Sequence, residues 1–414
     1  MDLTLLLVSS ISFVGVGLLL SFMILGVRRY LVSTKPVQLK INEDDTKEVS
    51  AGQTLLSALL AEGIAIPSPC GGKATCKQCK IQILNSSEDI LETDKATFSY
   101  TQLKDGWRLS CQCKVKGDME LKIPEALLTL KEFTGRVVSN QNVATFIKEL
   151  VIAYPKEALE NYQPGDYLQF HVPKFATNTS DWKATMEEKY HTDWERFGFF
   201  NTEIDFTGLE EEVIRAYSMA SYPGEEHIKF NIRIATPPEK KLPWGICSSY
   251  TFSLKEGDEV RLSGPFGESH MIHDDRELVF LIGGAGSSFG RSHILDLFNN
   301  KKTERKVTLW YGARSLKENI YEEDFRALDS AHENFTYRLV LSEPTKEDEW
   351  PRDDPEQTGY LFKAFEIGQL EKMDEPENCL YYVCGPPLHN QSVMKLLDSY
   401  GVERESIILD DFGS

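Results

Sequence analysis

Cys70, Cys76 and Cys79 sit in the single run PSPCGGKATCKQC, and RLSCQC returns two more cysteines at Cys111 and Cys113. A segment with three thiols and two adjacent glycines is a poor helix and a poor strand, and it has to wrap around something that soft sulfur ligands satisfy. A [2Fe-2S] cluster asks for four thiolates and for backbone N–H groups aimed at its sulfurs, and Gly71 and Gly72 let a loop turn tightly enough to provide them. Zinc is the other candidate. Zinc scaffolds usually offer two close cysteine pairs, whereas this loop has one CxxC and an offset third cysteine, so the pattern favours the cluster.

The spacing C-x5-C-x2-C is one residue longer than the plant-type loop. Around it, VQLKIN alternates as a strand, TLLSALLAEGI reads as a short helix ending on Gly63, and KIQILN is a further strand. That order resembles β-grasp ferredoxins and predicts a ferredoxin-type domain over residues 36–130. RLSCQ resembles their fourth-ligand segment, which favours Cys70, Cys76, Cys79 and Cys111 as the ligands and leaves Cys113 as a small core residue.

Residues 3–27 carry no charge and end on Arg28 and Arg29. Twenty-five residues at 1.5 Å each exceed a hydrocarbon core of about 30 Å, so a transmembrane helix is expected. A signal peptide would place its positive charge before the apolar run, and here Asp2 precedes it. The arginines orient the remainder of the chain toward the cytoplasm of a bacterial inner membrane, a reducing compartment that suits eight cysteines kept for metal and flavin chemistry. With 45 basic and 64 acidic side chains the formal charge is −19, a poor match to nucleic acid. The remaining length calls for two or three domains.

An antiparallel β-barrel domain is expected over residues 131–273. TGRVVSNQNVATFIKELVIAY and NYQPGDYLQFHV read as turn-separated strands, and RAYSMAS comes next. Arg215, Tyr217 and Ser218 match the R-x-Y-S signature of the ferredoxin-NADP reductase superfamily, which implies FAD: a guanidinium for phosphate oxygens, an aromatic face for the ring and a small hydrogen-bonding group. Gly245, Ser248 and Ser249 resemble that superfamily's flavin-diphosphate turn at a helix start, and Gly264-Pro265-Phe266-Gly267 its barrel-closing motif. The polar and aromatic insertion Phe175 to Glu212, ahead of R-x-Y-S, is assigned no chemistry; the plain alternative for it is a solvated loop with a helix.

Residues 274–414 are expected to form an α/β, Rossmann-like NADH domain. ELVFLIGGAGSSFGRSHILDLF is a buried strand running through Gly283, Gly284 and Gly286 into a helix, the geometry that brings amides to a pyrophosphate. Ser288-Phe289 replaces the superfamily's usual Ala-Pro, while Arg291 and Ser292 match. Cys384, Gly385 and Pro386 resemble the position beside the nicotinamide ring, and Phe412 the terminal aromatic that covers the flavin. Ser249 and Cys384 are the candidates for polar and soft groups at the reacting atoms. Glu318, Glu322, Glu323 and Asp324 follow Arg314 closely, which favours NADH over NADPH on charge.

NADH gives up two electrons as a hydride and a [2Fe-2S] cluster takes one at a time, so a flavin must stand between them. Anchor, ferredoxin, flavin barrel and nucleotide domain in that order, with RAYSMASYP, RIATPP, YGARS, YEEDF, CGPP and DDFG, closely resemble the F subunits of sodium-translocating NADH:quinone oxidoreductases. The resemblance implies oxidation of NADH, transfer through FAD and the cluster to other membrane subunits, and indirectly reduction of quinone coupled to sodium export. Two alternatives stand beside it. One is the reductase of a multicomponent oxygenase, which shares the three soluble modules but lacks an anchor; the other is a tethered electron-transfer module with an inactive nucleotide domain.

Overall fold

The computed structural model describes residues 13–23, 35–42, 45–85, 90–129, 132–209, 212–239 and 242–411. Residues 13–23 form a helix with exposed side chains. The rest of the expected membrane span lies outside the described residues, and among the described residues no helix is long and apolar enough to cross a membrane. The chain divides into two compact units, Met1–Ile66 with Gly72–Thr129, and Pro67–Gly71 with Leu130–Ser414.

The first unit contains strands β1 (Pro36–Ile41), β2 (Asp45–Ser50), β3 (Lys80–Ile83), β4 (Trp107–Leu109) and β5 (Met119–Lys122), in the sheet order β2-β1-β5-β3-β4. β1 and β5 run parallel and the other pairs are antiparallel. Alternation sets the inner face: Leu39, Ile41, Ile81, Ile83 and Leu121 are buried. The helix Leu55–Ala61 covers that core with Leu55, Leu56, Ala58 and Leu59, and its first turn is closed by the Thr54 side chain accepting from the Ser57 amide. Gly63, at φ +76°, ends the turn after this helix, as the sequence predicts.

The second unit joins two sheets. Strands β6 (Glu132–Ala144), β7 (Ile147–Ala153), β8 (Tyr167–Val172), β9 (Ala176–Asn178), β10 (Glu203–Asp205), β11 (Val213–Ser218), β12 (Ile228–Arg233) and β13 (Glu259–Phe266) come first. Six of them form an antiparallel sheet, β11-β8-β13-β6-β7-β12, and β9 pairs with β10 as a separate ribbon. Next come β14 (Leu278–Gly283), β15 (Val307–Ala313), β16 (Phe335–Leu341), β17 (Leu380–Cys384) and β18 (Ile407–Asp410), all parallel in the order β16-β15-β14-β17-β18. Every residue of β14 and β17 is buried, the continuous apolar run expected of a parallel sheet covered on both faces.

The described residues of the stretch Phe175 to Glu212 pack inward where a solvated loop would not. Trp182 and Trp194 are 2% and 0% exposed and join the barrel core, with ring centroids 5.9 Å apart and Trp244 at 6.0 and 6.4 Å. The charged residues between the aromatics set the polar look of the sequence, but the indole rings at 182 and 194 bury the area that decides packing.

Candidate functional site

In the first unit the Cys79 and Cys111 thiols hydrogen-bond each other, and Cys76 lies close enough for its charge to act on Cys79. Gln112 bridges the same place, its Nε2 donating to the Gly72 carbonyl at 3.1 Å and to Cys111 Sγ at 3.5 Å. The loop carries left-handed backbone at Gly72, Ala74 and Lys77, with φ of +85°, +61° and +58°. Runs of such turns aim successive amides to one side, which fits an anionic cluster. Cys113 packs in the apolar core at 7% exposure. Cys70 is buried at the head of the loop, where the Gly71 amide donates to the Ser68 carbonyl at 2.8 Å. Among the described residues no three His, Cys, Asp or Glu side chains gather around one metal ion.

β11 alternates half-exposed and buried positions, so Arg215 and Tyr217 share one face while Ser218 points to the other. Tyr217 meets Phe170 edge-on at 5.2 Å, and burial pushes its hydroxyl well above the ordinary tyrosine range. The helix Ile246–Ser253 packs against β8 and β11. It begins at Gly245 with no side chain capping its first turn, a helix start that fits a flavin diphosphate. Ser248 spends its hydroxyl on the turn, donating to the Gly245 carbonyl and accepting from the Ala235 amide, both at 3.1 Å. The Ser249 hydroxyl is fully buried and has no hydrogen-bond partner among the described residues.

The two sheets meet at the ends of β11, β17 and β18. Ser218 Oγ donates to Asp410 Oδ2 at 3.0 Å, and Asp410 lies directly beside Cys384 in the β17–β18 register. Burial, augmented by the charge of Asp411, raises the Asp410 carboxyl to about 7, with the Ser218 hydrogen bond opposing it. Burial likewise pushes the Cys384 thiol up, so it stays a thiol at neutral pH. The glycine loop closes on the same cysteine: a Cβ at Gly286 would stand 2.4 Å from the Cys384 carbonyl oxygen and 3.0 Å from its Sγ. Gly284 turns at φ +56°, and Gly283 lies against Pro386. At Gly385 a Cβ would meet the His389 ring at 2.5 Å. Phe412 lies outside the described residues.

Several of these residues could not be picked out from the sequence. Asp410 was visible as part of DDFG, yet nothing local distinguishes its carboxylate from that of Asp411. Arg291, expected from a superfamily match, binds Glu225 bidentately at 2.9 Å on both arms, Asp324 at 2.9 Å and the Ala220 carbonyl at 2.9 Å, tying barrel to parallel sheet. Ser288 stands where the superfamily has Ala and accepts from the Asn231 amide at 3.0 Å, with Ser287 accepting from Asn231 Nδ2 at 3.0 Å. Tyr321, a non-glycine residue at φ +62°, donates to Glu149 at 2.6 Å and stacks under Arg291.

A ferredoxin-type unit, an antiparallel flavin-type barrel and a parallel nucleotide-type sheet define an iron–sulfur flavin reductase architecture. Residues 39–116 match the 2Fe-2S iron-sulfur cluster binding domain, and residues 280–394 the oxidoreductase NAD-binding domain. The Amycolatopsis cytochrome P450 reductase GcoB has the same fold, with a TM-score of 0.60 at 20% identity, covering 91% of this chain and 98% of that one. The chain is 60% identical to the F subunit of the Na(+)-translocating NADH-quinone reductase of Chlamydia caviae, over 98% of this chain and 97% of the relative. It is 42% identical to the corresponding F subunit of a Marinomonas species over 97% of each chain. The chain belongs to the family of F subunits of Na(+)-translocating NADH-quinone reductases.

Proposed function

We propose that the chain oxidises NADH by hydride transfer to FAD and passes single electrons through a [2Fe-2S] cluster to other subunits of a sodium-translocating NADH:quinone oxidoreductase, with quinone the final acceptor. Family membership over nearly the whole chain supports the reading. The observation that carries it is the junction where Ser218, Asp410, Cys384 and Gly286 converge.

When bound, FAD supplies the exchange between a two-electron hydride and single electrons, and the cluster carries those one at a time. Arg215 and the first amides of the helix at Gly245 would hold the FAD diphosphate, and Tyr217 would offer its ring face. Gly283, Gly284 and Gly286 would admit the NADH pyrophosphate, with Gly385 and Pro386 shaping the wall beside the nicotinamide. The buried, unpartnered Ser249 hydroxyl fits a flavin polar group, and the neutral Cys384 thiol a soft contact at the reacting carbon. The Asp410 carboxyl, raised to about 7 by burial, accepts from the Ser218 hydroxyl, which fixes the floor of the junction. Phe412 would cover the flavin face. Cys70, Cys76, Cys79 and Cys111 would ligate the cluster.

Residues 36–130, 131–273 and 274–414 are taken as the ferredoxin, flavin and NADH domains. Residues 3–27 would anchor the chain once through a bacterial inner membrane, with the rest in the cytoplasm. NADH is preferred over NADPH because Glu318, Glu322, Glu323 and Asp324 follow Arg314 closely, and Arg314 itself pairs with Glu318 at 3.4 Å. The test is an anaerobic NADH titration of the full chain in detergent, followed by visible absorbance and EPR. Flavin bleaching with a rhombic [2Fe-2S] signal is expected. Bleaching without that signal would refute the cluster assignment, and no bleaching would refute the nucleotide reading.

A further inference from the structure

The chain carries 64 acidic residues against 45 basic, yet the two segments that hold the cysteines, 70–80 and 107–117, contain six basic residues and no acidic one. Lys73, Lys77, Lys80, Lys114 and Lys116 are exposed there. Arg108 is different: it is 5% exposed, its Nη1 donates to the Leu103 and Trp107 carbonyls at 3.1 and 2.8 Å, and its Nε has no hydrogen-bond partner among the described residues. A buried guanidinium N–H without an acceptor is costly unless a ligand supplies one.

Arg108 lines a cavity of about 280 Å³ together with Gln112, Cys113, Lys114, Lys116 and Asp94. The Asp94 carboxylate does not satisfy it, because its two oxygens accept from the Leu91 and Leu109 amides at 3.2 and 3.0 Å. Among the described lining residues, Arg108 and Lys114 are cations beside one carboxylate that is already committed. Gln112 connects it to the cysteine loop, since the same side chain reaches Gly72 and Cys111. A carboxylate seated here would therefore lie within one side chain of Cys111.

We propose that this cavity and its lysine rim dock an acidic loop of the subunit that takes the electron from the cluster, a carboxylate entering toward Arg108 Nε. The inference rests on the proposed electron route and names its exit. Docking by opposite charge speeds encounter and fixes register, which a single-electron hand-over needs, and it weakens with salt. A surface of this sign, in a chain of this net charge, points to a partner that is acidic where it meets the cysteine loop.

The test is the charge-reversed pair Lys114→Glu/Lys116→Glu in the assembled complex, with Lys47→Glu as control. Lys47 lies on β2, at the opposite edge of the sheet from β4. At low ionic strength the pair should lower NADH-driven quinone reduction about tenfold, the gap closing as salt rises, while the control stays at the wild-type rate. Stopped-flow reduction of flavin and cluster by NADH within the chain should be unchanged, which keeps this test separate from the electron route itself. The neutral pair Lys114→Gln/Lys116→Gln should fall between, and it decides the question if charge reversal strips the cluster. Quinone reduction unchanged at low salt would overturn the proposal. Slower reduction of the cluster inside the chain would also overturn it, since the basic face would then serve the chain's own flavin.

Discussion

Replacing Asp410 by Asn should remove one specific pH dependence of stability. In the folded chain burial raises the carboxyl from an ordinary 3.8 to about 7. Each pH unit is worth 1.36 kcal/mol, so the carboxylate form is disfavoured by about 4 kcal/mol relative to the unfolded chain. The sign comes from the direction of the shift. Below the unfolded value the neutral acid is equally at home in both states and costs nothing. As pH rises from about 4 the unfolded chain ionises first, and the fold loses stability until the folded group also ionises near 7. Roughly 2–3 kcal/mol of that loss falls between pH 5 and pH 8. Asn cannot ionise, and its amide still gives Ser218 an oxygen to donate to. Urea unfolding of wild type and Asp410→Asn, followed by tryptophan fluorescence at pH 5 and pH 8, isolates the difference. The variant should gain about 2–3 kcal/mol on wild type between the two pH values. Equal tilts in both proteins would refute a carboxyl held neutral by burial at this junction.

Cys111→Ala should abolish the [2Fe-2S] EPR signal while Cys113→Ala keeps it, because the Cys79 and Cys111 thiols hydrogen-bond each other. Arg291→Met should cost about 3 kcal/mol, since it leaves the partly buried Glu225 carboxylate only Lys229 at 3.7 Å as a cation and unties barrel from sheet. A thermal midpoint within a degree of wild type would contradict that. Trp194→Ala should cost about 3–5 kcal/mol by opening a cavity among Trp182, Trp244 and Phe252. Its chemical-denaturation midpoint checks the value, and a loss under about 1 kcal/mol would mean that the aromatic cluster collapses around the gap.

The cysteine loop was legible because its chemistry is local: thiols, glycines and spacing all sit in one run. β14 was legible because LVFLIG leads straight into glycine, and the strand and the turn announce each other. Strand β11 carries its R-x-Y-S reading only through resemblance, since VIRAYS alternates like any half-buried strand. Three things had no local signal. Ser218 and Asp410 are 192 residues apart on different sheets, and the β17–β18 register that sets Asp410 beside Cys384 is tertiary as well. Ser288 looked like a departure from a phosphate-binding pattern, but its partner is the Asn231 amide, 57 positions away. Arg291 matched a motif and turned out to be the central cation of a buried network, which sequence matching alone cannot assign.

The insertion Phe175 to Glu212 shows how an unremarkable stretch can govern the nucleotide side. Trp194 packs into the barrel core, and its indole N–H donates to the Thr145 carbonyl at 2.7 Å. Thr145, at the turn between β6 and β7, gives its amide to Glu318 at 3.0 Å and its hydroxyl to the same carboxylate. Lys317, the neighbour of that glutamate, pairs with Asp193 of the insertion at 2.6 Å. Two successive residues of the loop after β15 are therefore held from the barrel side, one through Thr145 and one through Asp193. Arg314 reaches Glu318 from that same side, so its guanidinium pairs with a carboxylate that the barrel holds through Thr145. Glu318, Asp324 and Glu322 thus act first as structural partners, Glu318 to Thr145 and Arg314, Asp324 to Arg291 and Glu322 to Arg326.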